Sequence, residues 1–193
     1  MLKTGFVGLG AMGLPMARNL HRAGLLTAVW NRSAEKARAL AGETGCTACA
    51  APEELAELCD VMVLCISADE DVLEIVGAIA PVVSPGTIVI DCSTVSAATA
   101  RQAASILSEK GCGFLDCPVS GGTEGARQGT LSIMAGGAAE DLEKARPVLE
   151  AMGRSVVHMG PAGLGQAAKA TNQGMVAGIN QAVTEALAFG RSQ

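Results

Sequence analysis

The sequence predicts an α/β domain with a doubly wound, mostly parallel sheet. Three observations carry the prediction: uninterrupted Val/Ile/Leu runs of strand length, helix-like runs between them, and a glycine-rich turn after the first strand. Unbroken apolar strands separated by helices of roughly 10 to 15 residues are the mark of a sheet covered on both faces.

The elements follow in order. "LKTGFVGLG" reads as a strand and leads into a helix from Met12 to Ala23. "LLTAVWN" leads into Ala34 to Ala41, and "VMVLCIS" into Asp71 to Ile79. "GTIVIDCS" precedes a helix from Ala97 to Lys110, and "GFLDCPVS" is a further strand. "TLSIMAGG" and "SVVHMG" bracket a helix from Ala139 to Met152. From Leu164 onward the chain reads as one long helix, with Met175, Val176, Ile179, Val183, Leu187 and Phe189 near helical spacing. That apolar face has nothing further in the sequence to cover it, so a second copy or a further domain is expected to, the further domain being favoured. The domain reading is 1–162 for the sheet domain and 163–193 for the start of a long interdomain helix.

Composition narrows the function. With 49% hydrophobic residues the chain has ample apolar surface for a core, and a net charge of -5 without a basic block excludes nucleic acid as partner. No apolar run approaches the roughly 20 residues of a membrane span, and the first ten residues lack the pattern of a leader, so a cytoplasmic location is expected. The seven cysteines, an odd number, mostly sit in apolar runs and read as reduced, small hydrophobes. Cys46 and Cys49 form a CxxC without further metal ligands at fitting spacing, so no metal is expected. His21 and His158 lie in no motif. Aromatic residues are 2%, so a binding site must be built from backbone, glycine and small polar groups.

Gly8, Gly10 and Gly13 form a GxGxxG between the first strand and first helix, the dinucleotide-binding arrangement of a Rossmann domain. The first glycine permits the tight turn, the second close approach of a pyrophosphate, and the third close packing of helix on sheet. Asn31 falls 18 residues beyond Gly13, at the tip of the second strand, followed by Arg32 and Ser33. A carboxylate there would select NAD. Its absence, with a guanidinium and a hydroxyl able to meet a 2'-phosphate, predicts NADP(H) as the preferred cofactor, with NAD(H) possible.

The run "DCPVSGG", Asp116 to Gly122, ends a strand at the sheet edge where ligands bind. Ser120, Gly121 and Gly122 there offer a hydroxyl and unobstructed N–H groups to a carboxylate-bearing substrate. Lys169 has no acidic neighbour within five residues, and Gln166, Lys169, Asn172 and Gln173 share a helix face. A desolvated lysine beside a cationic ring would have a lowered pKa, suited to moving a hydroxyl proton as hydride moves to or from nicotinamide.

"GFVGLGAMGLPMARNL", "DCPVSGG", "GTLSIMAGG" and "GLGQAAKATNQ", in this order, closely resemble the β-hydroxyacid dehydrogenase family, over essentially the whole chain. The resemblance implies Lys169 as general acid/base, Asn172 as its companion, and Ser120, Gly121 and Gly122 as the substrate-carboxylate site. It adds Ala11, Met12, Cys65, Ile66, Ser67 and Thr94 to the cofactor contacts of Gly8, Gly10, Gly13, Asn31, Arg32 and Ser33. Family members continue into an all-helical C-terminal domain that this chain lacks, so a homo-oligomer formed through that domain and the long helix is expected. The "NRS" run resembles the NADPH-using semialdehyde reductase branch. Three readings follow: an NADP(H)-dependent semialdehyde or glyoxylate reductase first, then an NAD-dependent 3-hydroxyisobutyrate dehydrogenase, then a non-catalytic nucleotide-binding module. A 6-phosphogluconate-type decarboxylase would call for extra cations around the pocket.

Overall fold

The computed structural model describes residues 2–193. Strand β1 (Thr4–Val7) leads through the glycine turn into helix α1 (Gly13–Arg22), then β2 (Leu26–Trp30), α2 (Ala34–Thr44), β3 (Thr47–Ala48) and α3 (Pro52–Leu58). The chain returns to the sheet centre with β4 (Val61–Leu64), α4 (Asp69–Ile79), β5 (Ile88–Asp91), α5 (Ala97–Ser108) and β6 (Gly113–Asp116). It continues through β7 (Val119–Ser120), α6 (Gly122–Gln128), β8 (Leu131–Gly136), α7 (Ala139–Met152), β9 (Gly153–Gly160) and α8 (Leu164–Ser192).

The strands form one sheet in the order β3-β2-β1-β4-β5-β6-β8-β7, with β9 on β8. All pairings from β3 to β6 are parallel, as is β8 with β9. Only β8 runs antiparallel to β6 and to β7. The sheet is therefore mixed at this edge, because the short β7–α6 connection turns the chain back. The elements β3, α3, β7 and α6, none longer than seven residues, are additions to the sequence reading.

The central strands β1, β4 and β5 are wholly buried and divide their side chains between two cores. Phe6, Val61, Val63, Ile88 and Ile90 pack on one face with Met16, Leu20 and Leu149. Val7, Met62, Leu64 and Val89 pack on the other with Leu55, Val72, Ile79 and Leu107. Local signals set the helix ends: Pro52 opens α3, Ser96 Oγ accepts the Thr99 N–H at the start of α5, and left-handed Gly45 closes α2.

In α8 only the first turns are buried, at Gly165, Gln166 and Lys169. Beyond them Met175, Ile179, Val183, Leu187 and Phe189 are all more than half exposed. Among the described residues no helix is long and apolar enough to cross a membrane.

Candidate active site

The chain order reverses between β1 and β4, and the groove over their carboxyl ends is where an open α/β sheet binds ligands. Gly8, with φ +95°, begins the turn after β1; a Cβ on it would lie 2.3 Å from the Cys65 carbonyl oxygen. A Cβ on Gly13 would lie 1.9 Å from the Gly8 carbonyl oxygen, whereas one on Gly10 meets nothing within 4 Å. Two of the glycines thus serve the turn's own packing. The third leaves space over the loop, at a helix start with no acidic residue in its first turn and no side-chain cap.

Asn31 braces this loop. Its Oδ1 accepts the Leu9 N–H at 2.7 Å, and its Nδ2 donates to the Ser33 carbonyl at 3.1 Å. A cavity of about 220 Å³ extends from Gly8 and Gly10 past Asn31 and Arg32 to Cys65, Ile66 and Ser67. The space fits the phosphate and adenosine parts of a dinucleotide: an open glycine, free N–H groups and a polar tip at β2. Ser33 does not line it, and Ala11 faces a neighbouring groove.

The adenosine end also holds groups that come from other elements. The tip of β2 carries no carboxylate in sequence, but α4 brings Asp71 to Arg32, with which it forms an ion pair, and Glu74 also lines the cavity. Lys36 adds a second cation. The adenosine end thus mixes two cations with two carboxylates.

The second cavity, about 490 Å³, adjoins the first through Cys65, Ile66 and Ser67. Met12, Ser93, Thr94, Ser120, Gly121, Gly122, Lys169 and Gln173 also line it. The nucleotide groove therefore runs directly into the space that holds the predicted substrate clamp and lysine. Lys169 is buried, with 9% exposure, and its Nζ donates to the Val119 carbonyl at 2.7 Å. Burial lowers its pKa from the usual lysine range. Asn172 is half-buried, its Nδ2 donating to Gln173 Oε1 at 3.4 Å. Gln173, rather than Asn172, lines the wall.

Two residues set the position of Lys169. Asp116, at the end of β6, accepts the Gly163 N–H at 2.7 Å through Oδ1 and the Gln166 N–H at 2.8 Å through Oδ2, placing a carboxylate at the start of α8. Burial raises its pKa, and these hydrogen bonds oppose the rise. Gln166 donates from Nε2 to the Ser93 carbonyl at 2.8 Å and accepts the Val95 N–H at 3.3 Å. Ser93 Oγ accepts the Ile66 N–H at 3.0 Å, and Asp91 Oδ1 accepts the Ser93 N–H at 3.0 Å. Asp91 is fully buried with Oδ2 unpartnered, and burial pushes its pKa up to about 6. Sequence reading placed Asp116 within the clamp motif and Gln166 on the lysine face. The partners of both lie on other elements.

The seven cysteines are free thiols, and among the described residues no His, Cys, Asp or Glu cluster is arranged to hold a metal ion.

A family profile described as the NAD binding domain of 6-phosphogluconate dehydrogenase matches residues 3–160. The NAD-dependent L-serine dehydrogenase of Pseudomonas aeruginosa is 41% identical over 194 residues, spanning 98% of this chain and 64% of that protein. The 3-hydroxyisobutyrate dehydrogenase of the same organism is 42% identical over 195 residues, again spanning 98% and 64%. Among solved structures, Mycobacterium tuberculosis 3-hydroxyisobutyrate dehydrogenase with L-serine superposes with a TM-score of 0.92 at 36% identity, covering 96% of this chain and 64% of that one. The chain spans just under two thirds of the length of these relatives.

Proposed function

This chain belongs to the family of the NAD binding domain of 6-phosphogluconate dehydrogenase, among the pyridine-nucleotide-dependent β-hydroxyacid dehydrogenases, and from that premise we propose that it serves an NADP(H)-dependent oxidoreductase interconverting a small β-hydroxy acid and its semialdehyde. The observation that carries the reading is a buried lysine, without a carboxylate partner, in a cavity that opens into the nucleotide groove.

Gly8, Gly10 and Gly13, with Ala11, Met12 and Asn31, would hold the cofactor's phosphates and ribose; Cys65, Ile66, Ser67 and Thr94 would flank its nicotinamide end. The bound nicotinamide supplies or accepts hydride. Ser120 and the Gly121 and Gly122 N–H groups hold the substrate carboxylate, which sets the reacting carbon against the lysine. One N–H of Lys169 is used by Val119, leaving two for the substrate oxygen. In reduction the lysine gives its proton to the oxygen; in oxidation the neutral amine takes it, a state that burial favours. Asn172 and Gln173, one turn on, orient the amine or the hydroxyl. Turnover by the complete protein, with and without Lys169, tests the assignment.

NADP(H) is preferred in this reading because Arg32 and Lys36 both face the adenosine end and β2 ends without an acid. A 2'-phosphate would draw the guanidinium from Asp71. The alternative, NAD(H), rests on that same carboxylate, which could accept from a 2'-hydroxyl. The reading includes a cytoplasmic location and a homo-oligomer, and the apolar stripe of α8 that no other described residue covers supports the second.

A further inference from the structure

A second group of cations lies apart from Lys169. Between α1 and α6 is a cavity of about 470 Å³, lined by Arg18, Arg22 and Arg127, with Leu14 and Pro15 also in its wall. No carboxylate lines it, in a chain whose net charge is -5. Arg18 and Arg22 stand one turn apart on α1, and Arg127 comes from α6.

Each guanidinium is already held. Arg18 is bidentate on Glu43, at 2.9 and 2.7 Å. Arg22 donates to Asn19 Oδ1, and buried Asn19 in turn donates to the Ala126 carbonyl at 2.7 Å, tying α1 to α6. Arg127 pairs with Glu124 at 3.4 Å. The bidentate hold on Arg18 lowers the entropy that side chain loses when a ligand arrives. A guanidinium has five N–H donors, so donors remain on all three.

The cavity shares Gly10 with the adenosine-end cavity and no residue with the Lys169 cavity; through Gly10 and Ala11 it borders the loop proposed above to hold the cofactor's phosphates, while its three arginines line neither of the other cavities. It is not an extension of the substrate pocket. Its volume suits a small molecule rather than a protein surface. Guanidinium groups converging from two helices match the acceptors of a tetrahedral phosphate. Two of the three arginines are paired with a carboxylate, so a ligand must bring more than one charge to compete with it.

We propose that the α1–α6 groove is a second anion site, which takes a small ligand carrying two or more phosphate groups on Arg18, Arg22 and Arg127, beside the dinucleotide's phosphate loop and outside the substrate pocket. The test is calorimetric titration with inorganic pyrophosphate at fixed low salt. The wild-type chain is compared with Arg22→Ala/Arg127→Ala, with Arg32→Ala at the nucleotide groove, and with Lys144→Ala/Arg146→Ala on α7, which removes the same charge elsewhere. Pyrophosphate affinity should fall roughly tenfold or more in the first variant and stay within about twofold in the other two. An equal loss in the α7 variant would assign the binding to overall charge, and a loss confined to Arg32→Ala would assign it to the dinucleotide groove. Either result, or no binding to wild type, overturns the proposal. NADPH titration of the same variants reads the dinucleotide groove independently, since Arg22 and Arg127 lie outside it.

Discussion

Gln166 donates to the Ser93 carbonyl across 73 residues of sequence, joining the first turn of the helix that bears Lys169 to the loop that bears Thr94. With Val95 donating back to the same side chain, this amide holds the lysine's helix against the 93–95 loop. Gln166→Leu leaves a carbonyl and an N–H without their partner and should cost about 1–3 kcal/mol of stability. Urea unfolding measures it, and a loss below about 0.5 kcal/mol would show that the amide bears little of the joint.

Asp91 makes stability depend on pH in the unusual direction. Its folded pKa of about 6 lies above the ordinary 3.8, so the folded state holds a proton that the unfolded chain releases between those values. The contribution of Asp91 to stability should therefore be fully present below the ordinary 3.8, fall as pH rises through about 6, and vanish above, by an amount on the order of 1–3 kcal/mol. Denaturation midpoints of wild type and Asp91→Asn across this range check it. The variant should lose most of the slope, the remainder belonging to Asp116, whose pKa is also raised by burial. A slope unchanged by the substitution would remove Asp91 as its source.

Gly8 and Gly10 separate folding from binding. Gly8→Ala forces a Cβ against the Cys65 carbonyl at positive φ and should cost about 2 kcal/mol or more, with loss of nucleotide binding. Gly10→Ala meets no neighbour and should leave the melting temperature nearly unchanged while weakening NADPH binding. Equal melting and equal affinity for Gly10→Ala and wild type would mean that the pyrophosphate does not lie over Gly10.

Much of this was legible in sequence because it was local. Alternating apolar runs report burial on both faces of a sheet, and three glycines at fixed spacing report a turn. The long β1, β4 and β5 runs were therefore readable, whereas two-residue β3 and β7 are too short to show a period. The reversal of β8 depends on a short return connection rather than on strand composition. Lys169 was conspicuous through its uncharged neighbours. Asp71 was not, because its approach to Arg32 joins positions 39 residues apart on different elements. Asp116 read as part of a substrate motif, but both its oxygens are taken by the start of α8.

The Arg32–Asp71 ion pair makes cofactor choice testable from both partners. Arg32→Ala should weaken NADPH by roughly tenfold and NADH little, because only the former loses a charge-assisted contact. Asp71→Asn frees the guanidinium and should favour NADPH further. An unchanged ratio of dissociation constants in Arg32→Ala would remove this residue from the adenosine site.

The most direct test of the central claim is NADPH-dependent reduction of small semialdehydes by the complete protein carrying Lys169→Ala, with NADPH affinity measured alongside. The account predicts a fall in turnover on the order of 100- to 10,000-fold with nearly unchanged NADPH binding. Turnover retained in the variant would contradict the assignment of Lys169 as the acid/base.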